Sequence, residues 1–186
     1  GLGRALAKVL SFNKEQTQNT KAKNLIDFPA LIVAGSKNLI SEQQIKNLLS
    51  TEKVCLSEIS LYGNKEFTDQ PIRELQLGKT CIIQTEYITN ISQTQAAMSA
   101  EILGDETKNI LSHTNISTVI ILGGDTLFSV LNTIGIHYIY PESEPIPATV
   151  AFTVDCFRRK IRFFSRSVSF GNQNYFLDFF NWRITN

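Results

Sequence analysis

Short apolar runs alternate with segments of helical spacing along the first two-thirds of the chain. Each run is bounded by polar residues or glycine, a pattern typical of strands buried in a sheet. The predicted strands of this part are 30–34, 54–59, 80–84, 118–122 and 136–140.

Helical patterns separate these strands. Ser41 is a suitable N-cap for the helix after the first strand, and Gln44 completes a capping box with it. Ser92 can cap a long helix, and Gly135 stands where a helix C′ glycine belongs. The predicted helices are 1–12, a segment starting near 41, 92–112, 125–134 and 171–182.

Two polar stretches interrupt the pattern. Residues 13–27 have no periodicity and are interpreted as a solvated linker or loop. Residues 62–78 are mostly polar, with breaks at Pro71 and Gly78, and no element is predicted there.

Two late apolar runs, 149–154 and 160–164, flank a turn at 155–159 and predict a hairpin-like pair of strands. Together with the earlier alternation they predict an α/β fold with a central mixed, largely parallel sheet and helices on both faces. The late pair adds the mixed edge. In such sheets ligands bind at the carboxyl ends of strands, so the loops at those ends are the candidate binding segments.

The composition excludes several classes of partner. With 186 residues, of which 42% are hydrophobic and 19% charged, the chain can form a domain with its own core. A formal net charge of +1 offers no bulk attraction for nucleic acid or acidic membranes. No apolar run approaches the ~20 residues of a membrane-spanning helix. We therefore expect neither nucleic acid nor a membrane as partner.

The cysteines and histidines indicate no catalytic or metal centre. Cys55, Cys81 and Cys156 are odd in number and lack metal spacing, which is typical of reduced thiols in a cytoplasmic protein. His113 and His137 lie among ordinary loop and strand residues. The chain begins with Gly inside a helical pattern, so we interpret it as a piece of a longer protein.

The turn Gly123-Gly124-Asp125-Thr126 is the most informative candidate site. It joins the predicted strand 118–122 to a helix, and such a turn directs backbone N–H groups at one spot that suits phosphate or carboxylate. Asp125 either caps the helix or holds Mg²⁺ between itself and a phosphate. The alternative is a plain turn without a ligand.

Two further loops contain groups that hold phosphate. Gly35-Ser36 ends the first strand, where glycine allows close approach and the hydroxyl can donate. The segment 165–171 contains three serines, Arg166 and a closing glycine. A plain strand-to-helix turn and a polar surface loop are the respective alternatives. The chain contains neither a G-x-x-x-x-G-K-[ST] motif nor G-x-G-x-x-G after a strand, which argues against a standard P-loop enzyme or dinucleotide dehydrogenase.

Four segments taken in order resemble the C-terminal half of the four-carbon acid sugar kinases, a family long described as a domain of unknown function. They are AGSKNLISEQQI (34–45), ILGGDTLFSVLNTIGI (121–136), PIPATVAF (145–152) and FFSRSVSFGNQNYF (163–176). The opening GLGRALA is also similar to a Gly-Leu-Ala segment near the join of the family's two domains. The resemblance extends over nearly the whole chain.

The resemblance implies that residues 1–186 are the nucleotide-binding C-terminal domain of a two-domain kinase whose N-terminal sugar-acid domain is absent. Such a kinase phosphorylates a threonate- or erythronate-type acid, or an oxo derivative, with ATP and Mg²⁺. No catalytic residue would lie in this chain, the sugar acid would bind through the missing domain, and the fragment alone would be inactive. The implied nucleotide site consists of Ser36, Gly123, Gly124, Asp125, Thr126 and Gly171, with Ser167 close by. The identity of the metal ligands, the sugar acid and self-association with a second copy are left open.

The chain departs from the family pattern at two loops. Where the family has Lys-Ser-Gly-Gly-Phe-Gly, this chain has Arg166 in place of the lysine and Val168 in place of a glycine. The family's Pro-Gly-x-Pro loop has become Glu-Pro-Ile-Pro at 144–147. Lost glycines near a nucleotide suggest an alternative, a catalytically degenerate ligand-binding or regulatory module of the same fold. A third hypothesis is a structural domain that serves only oligomer contacts through its aromatic C-terminus.

Overall fold

Seven strands and five helices follow one another in a computed structural model that describes residues 26–35, 38–62, 69–86, 90–167 and 171–180. The strands are β1 (Ala30–Ala34), β2 (Val54–Ile59), β3 (Thr80–Thr85), β4 (Thr118–Leu122), β5 (Ser143–Ile146), β6 (Thr149–Cys156) and β7 (Arg159–Arg166). The helices are α1 (Leu39–Leu49), α2 (Asp69–Gln76), α3 (Gln93–His113), α4 (Gly124–Thr133) and α5 (Tyr175–Phe179).

All seven strands belong to one sheet in the order β2-β3-β1-β4-β7-β6-β5. The five strands from β2 to β7 in this order are parallel, while β6 pairs antiparallel with both β7 and β5. This arrangement confirms the predicted α/β fold with a mixed, largely parallel sheet and an antiparallel edge.

The sheet has an apolar layer on each face. On one face Leu31 and Val33 of β1 pack in a cluster with side chains from α2, α3 and α4. On the other face Ile32 and Ala34 pack with side chains from α1 and α5. Alternation along β1 therefore supplies both cores, which explains why this strand is apolar throughout.

The neighbouring strands β1 and β4 send their following helices to opposite faces of the sheet. α1 follows β1 and belongs to the second layer, whereas α4 follows β4 and belongs to the first. Such a topological switch opens a crevice beyond the carboxyl ends of the two strands, which is the usual ligand position in open α/β sheets.

Several local predictions are confirmed. The strands β1, β2 and β4 have the predicted bounds, and Ser92 caps α3 in a capping box with Gln95. Gly135 follows α4 with a φ of 78°, the left-handed conformation of a C′ glycine. The late hairpin forms with longer strands than predicted, because only Phe157 and Arg158 turn, at φ of 50° and 60°.

Two predictions about helices are wrong. Asn38 caps α1 by accepting a 2.8 Å hydrogen bond from the Ile40 N–H, whereas Ser41 is buried inside the helix. The segment around Pro71 forms α2, because proline is tolerated in a first helical turn. Gly78, at φ 86°, follows that helix rather than interrupting a loop.

The predicted strand 136–140 is also wrong. Ile136 and Ile139 pack against the core, but Tyr138 and Tyr140 are more than 80% exposed, and the segment joins no strand ladder. The edge strand forms instead at β5, which contains Pro145. The terminal helix is shorter than predicted, and Tyr175, Phe176 and Phe180 are core residues.

Cys55 and Cys81 form a disulfide, so the prediction of three reduced thiols is wrong for this pair. The two residues occupy paired positions in β2 and β3, with Cα atoms 4.9 Å apart. Cys156 remains a free thiol, and burial raises its pKa. Cytoplasmic localisation stays a prediction, and a disulfide counts against it.

The predicted helix 1–12 lies outside the described residues, as does most of the predicted linker. No helix in the described part of the chain is long and apolar enough to cross a membrane.

Candidate functional site

The loop after β1 and the turn after β4 meet at the switch point. The Gly35 N–H donates a 3.4 Å hydrogen bond to the Leu122 carbonyl, the last residue of β4. A Cβ atom at Gly35 would overlap Thr126 Oγ1 and lie 2.8 Å from Thr126 Cβ. Glycine at position 35 is therefore required for β1 and the start of α4 to pack this closely. Ser36 lies outside the described residues.

Gly123 turns the chain from β4 into α4. Its φ of 107° lies in a region that favours glycine, and its N–H donates a 3.1 Å hydrogen bond to the Arg166 carbonyl of β7. No side chain of the described residues caps α4. The first helical hydrogen bond runs from the Leu127 N–H to the Gly123 carbonyl, and no described residue accepts from the three N–H groups before Leu127.

The residues of this turn differ in access. Gly124 and Asp125 are exposed, and a Cβ at Gly124 would meet no described residue within 4 Å. Thr126 is 3% exposed, because its side chain packs against Gly35. An exposed helix N-terminus suits an anion, and Asp125 exposes its carboxylate in the first turn of α4. In the parts of the chain described here, no group of three or more His, Cys, Asp or Glu side chains could hold a metal ion.

Arg166 ends β7 but directs its guanidinium into the protein. The residue is 2% exposed, and its Cζ lies 3.3 Å from the ring centroid of Tyr175. Nη1 donates a 2.7 Å hydrogen bond to Gln44 Oε1, whereas Nε and Nη2 have no hydrogen-bond partner among the described residues. Burial lowers the pKa of Arg166, and the neighbouring Tyr175 opposes that shift. The cation of this loop is therefore used in internal stacking rather than offered to solvent.

Gln44 connects α1 to the segment after β7. Its Nε2 donates a 2.7 Å hydrogen bond to the Asn172 carbonyl, while its Oε1 accepts from Arg166. Asn47, one turn later, donates to the Gln173 carbonyl at 3.0 Å. The capping-box role predicted for Gln44 is wrong, because this side chain is buried in contacts with distant residues. Gln44 and Asn47 are three residues apart and therefore lie on one face of α1. That spacing is the sequence feature that could have indicated their contact with another segment.

Ser167, Gly171 and the turn after β5 lie side by side. The exposed Ser167 donates its N–H to the Ala148 carbonyl at 3.4 Å. Gly171 has a φ of 86°, and a Cβ there would lie 2.8 Å from Arg166 Nη2. Val168, which replaces a glycine of the family pattern in the resemblance, is outside the described part of the chain.

A pocket of about 300 Å³ opens between the turn after β5 and α5. The described residues that line it are Ile146, Pro147, Gly171, Asn172, Tyr175, Asp178 and Phe179. Of the predicted site residues that the structure describes, only Gly171 is among them. The sequence does not single out Asp178, since an acidic residue on a short terminal helix carries no motif.

The structure thus places the predicted site residues that it describes at one edge of the sheet, in two groups. Gly123, Gly124 and Asp125 surround the start of α4, with Thr126 behind them. Ser167 and Gly171 lie beyond the neighbouring strand β7, next to the pocket.

No family model and no curated protein matches this sequence. Solved structures do match it. A Bordetella bronchiseptica domain of unknown function, DUF1537, aligns over 82% of this chain with a TM-score of 0.65 and 16% identity. A Haemophilus influenzae protein of DUF1537 aligns over 94% with a TM-score of 0.66 and 16% identity. A Salmonella typhimurium protein, provisionally described as a tRNA synthase, aligns over 82% with a TM-score of 0.59 and 14% identity.

This chain has the DUF1537 fold. That finding agrees with the family resemblance drawn from the order of the short motifs. The chain spans 38% of the Bordetella chain and 44% of the Haemophilus chain, so it corresponds to less than half of either DUF1537 protein.

Proposed function

We propose that this chain is the nucleotide-binding domain of an ATP-dependent kinase that phosphorylates a four-carbon acid sugar. The observation that carries the proposal is the uncapped N-terminus of α4, which opens at the topological switch point between β1 and β4. We place the phosphates of ATP there.

The residues around this turn fit phosphate and a magnesium ion. No described residue lies within 4 Å of a Cβ at Gly124 or accepts from the first N–H groups of α4, and the positive end of the α4 dipole favours an anion. Asp125, exposed in the first turn, would bind Mg²⁺ through water, while Ser167 offers a hydroxyl from the next strand end. When bound, ATP supplies the phosphoryl group that such a kinase transfers to a hydroxyl. The catalytic base and the sugar-acid site belong outside this chain in the proposal.

A structural neighbour supports an acidic small-molecule ligand. The Bordetella DUF1537 structure contains citrate, a small carboxylic acid, and is a domain-swapped dimer. We extend both properties to this protein as part of the proposal: a small acid as acceptor substrate and association with a second copy.

The test is calorimetric titration of the 186-residue chain with Mg²⁺–ATP, comparing Gly124→Asp with Gln93→Asp. Both substitutions put a carboxylate at the first residue of a helix, which the helix dipole tolerates or favours. At Gly124 the new carboxylate would occupy the phosphate position and repel it. We expect Gly124→Asp to weaken ATP binding by more than about tenfold, ~1.4 kcal/mol, and Gln93→Asp to bind like the unmodified chain.

Equal affinities for the two variants would contradict the placement of the phosphates. A degenerate regulatory module is the second candidate, because the cation of the β7–α5 segment is buried against Tyr175. That candidate would be favoured if millimolar ATP and ADP fail to bind while another anion, such as citrate, does. The proposal places the catalytic base outside this chain. Phosphorylation of a sugar acid by this chain alone would contradict that part of the proposal.

A further inference from the structure

The pocket beside α5 lies on the same edge of the sheet as the α4 N-terminus. β7 pairs with β4 through Arg166 and Leu122, and with β6 through Arg166 and Thr149. The turn before Thr149, which forms one pocket wall, is therefore two strand spacings from the end of β4, ~10 Å along the edge. A mononucleotide can place its anionic end and its base at two such positions because the ribose separates them.

The pocket walls suit a flat apolar ring. Ile146, Pro147, Tyr175 and Phe179 supply apolar and aromatic surface, and the volume of about 300 Å³ is at the small end of ligand pockets. Phe179 and Tyr175 are fixed in place, since their ring centroids lie 5.9 Å apart and Tyr175 is stacked under Arg166. The pocket is thus built on side chains that are already ordered by packing.

The charges at the two positions set the direction of a bound nucleotide. Asp178 is exposed at the pocket and presents a carboxylate, which repels phosphate and accepts hydrogen bonds from N–H groups. The α4 N-terminus has the opposite character, with free N–H donors and a positive helix end. Phosphate is favoured at α4 and an N–H donor is favoured at Asp178.

We propose that this pocket binds the adenine ring of the nucleotide, with the exocyclic amino group donating to the Asp178 carboxylate. The inference rests on the proposed function, because it assumes that the phosphates sit at the start of α4. It names Asp178 as the residue that selects adenine. The sequence motifs predict only that this part of the chain contacts the nucleotide.

The experiment compares ATP with purine riboside triphosphate, which has the same ring system without the amino group. Both are titrated as Mg²⁺ complexes into the 186-residue chain and into Asp178→Ala, Asp178→Asn and Asp155→Ala. Asp155 is an exposed aspartate at the far end of the β6–β7 hairpin and serves as the matched control.

We expect the unmodified chain and Asp155→Ala to prefer ATP by about tenfold, the effect of one hydrogen bond to a charged group. Asp178→Ala should reduce the preference to less than about twofold, and Asp178→Asn should keep part of it, since the amide oxygen still accepts. A thermal melt of each variant confirms folding, and because Asp178 is exposed we expect melting temperatures close to that of the parent chain.

Two results would overturn the inference and are distinguishable from failure of the proposed function. If ATP binds and Gly124→Asp abolishes binding, but the preference for ATP is absent or unchanged by Asp178→Ala, the base does not lie in this pocket while the phosphate placement stands. If neither triphosphate binds the unmodified chain, the proposed function fails and this inference fails with it.

Discussion

Two connections leave the carboxyl edge of the sheet side by side, and they are built in different ways. The turn from β4 to α4 depends on backbone: Gly123 in a left-handed conformation, free N–H groups and open space at Gly124. The segment from β7 to α5 depends on side chains, with Arg166 buried between Tyr175 and Gln44. The first presents its polar groups outward and the second turns its charge inward.

The difference shows which parts of a motif can be transferred from sequence. A glycine turn fixes the positions of backbone N–H groups. A turn that resembles a phosphate-binding turn in sequence is therefore expected to place its N–H groups in the same way. A basic residue in a loop carries only a charge, and packing decides where that charge points. Arg166 keeps the positive charge of the family's lysine, but its guanidinium is stacked on an aromatic ring within the protein.

The largest expected effect comes from breaking the backbone packing. Gly35→Ala should destabilise the chain by about 3 kcal/mol, because the new methyl carbon would overlap the Thr126 side chain and displace the start of α4. Urea denaturation measures the loss. Gly124→Ala, where a Cβ meets nothing within 4 Å, is the matched control and should change stability by less than about 1 kcal/mol. Similar losses for both variants would show that the two loops do not pack as described.

Arg166→Lys tests the other connection. An ammonium cannot stack or keep the planar hydrogen bond to Gln44, so we expect a loss of about 2 kcal/mol in unfolding free energy. Affinity for Mg²⁺–pyrophosphate, which would occupy only the α4 turn, should change less than about twofold, since one positive charge is kept and the guanidinium does not face the α4 turn. Arg158→Lys, at an exposed hairpin turn, should alter neither quantity. A variant that folds as stably as the parent but loses pyrophosphate binding would reverse the comparison.

The smallest effect concerns Tyr175 at high pH. Burial raises the pKa of Tyr175 above its ordinary value of about 10, against the opposing influences of its hydrogen bond with Thr149 and of Arg166. The folded chain therefore holds this proton more tightly than the unfolded chain, and the stabilisation is full below pH 10 and lost as pH rises beyond it.

Tyr175→Phe removes the hydrogen bond to Thr149 and should cost about 1 kcal/mol at pH 8. The difference in unfolding free energy between the parent and Tyr175→Phe should decrease from pH 8 to pH 11, because only the parent loses stability through this tyrosine. Cys156, whose pKa is also raised, is present in both and cancels in the difference. A gap that widens with pH would mean that Arg166 stabilises the phenolate more than burial opposes it.

Much of the fold could be predicted from the sequence because its strongest signals are local and repeated. β1 and β4 are buried on both faces, so their apolar runs have sharp limits, and Ser92 with Gln95 forms a complete capping box. The strand predicted at 136–140 is wrong because its signal is not sufficient. Apolar and aromatic residues indicate a strand, but a strand also needs a neighbour to pair with at the right register. Pro71 was interpreted as a break although it lies in the first turn of α2, where proline needs no N–H partner.

The only part of the candidate site that could be predicted from the sequence is the part formed by backbone in a conformation that requires glycine. The glycines of the β4–α4 turn were found, and the structure places them at the switch point. Gln44 and Arg166, which meets Tyr175, were not recognised as one cluster, because Gln44 lies 122 residues from Arg166 and no local pattern encodes that contact. The pairing of Cys55 with Cys81 was missed for the same reason, since strand register alone brings them together.

The most direct test of the central claim is an amide NMR titration of the 186-residue chain with Mg²⁺–ADP. If the phosphates lie at the α4 N-terminus, the largest shifts will be those of the Gly124, Asp125 and Thr126 amides, followed by Ser167 and Gly171 at the neighbouring strand end. Saturable binding that leaves these amides unshifted, or that shifts the opposite edge of the sheet around His113, would contradict the account.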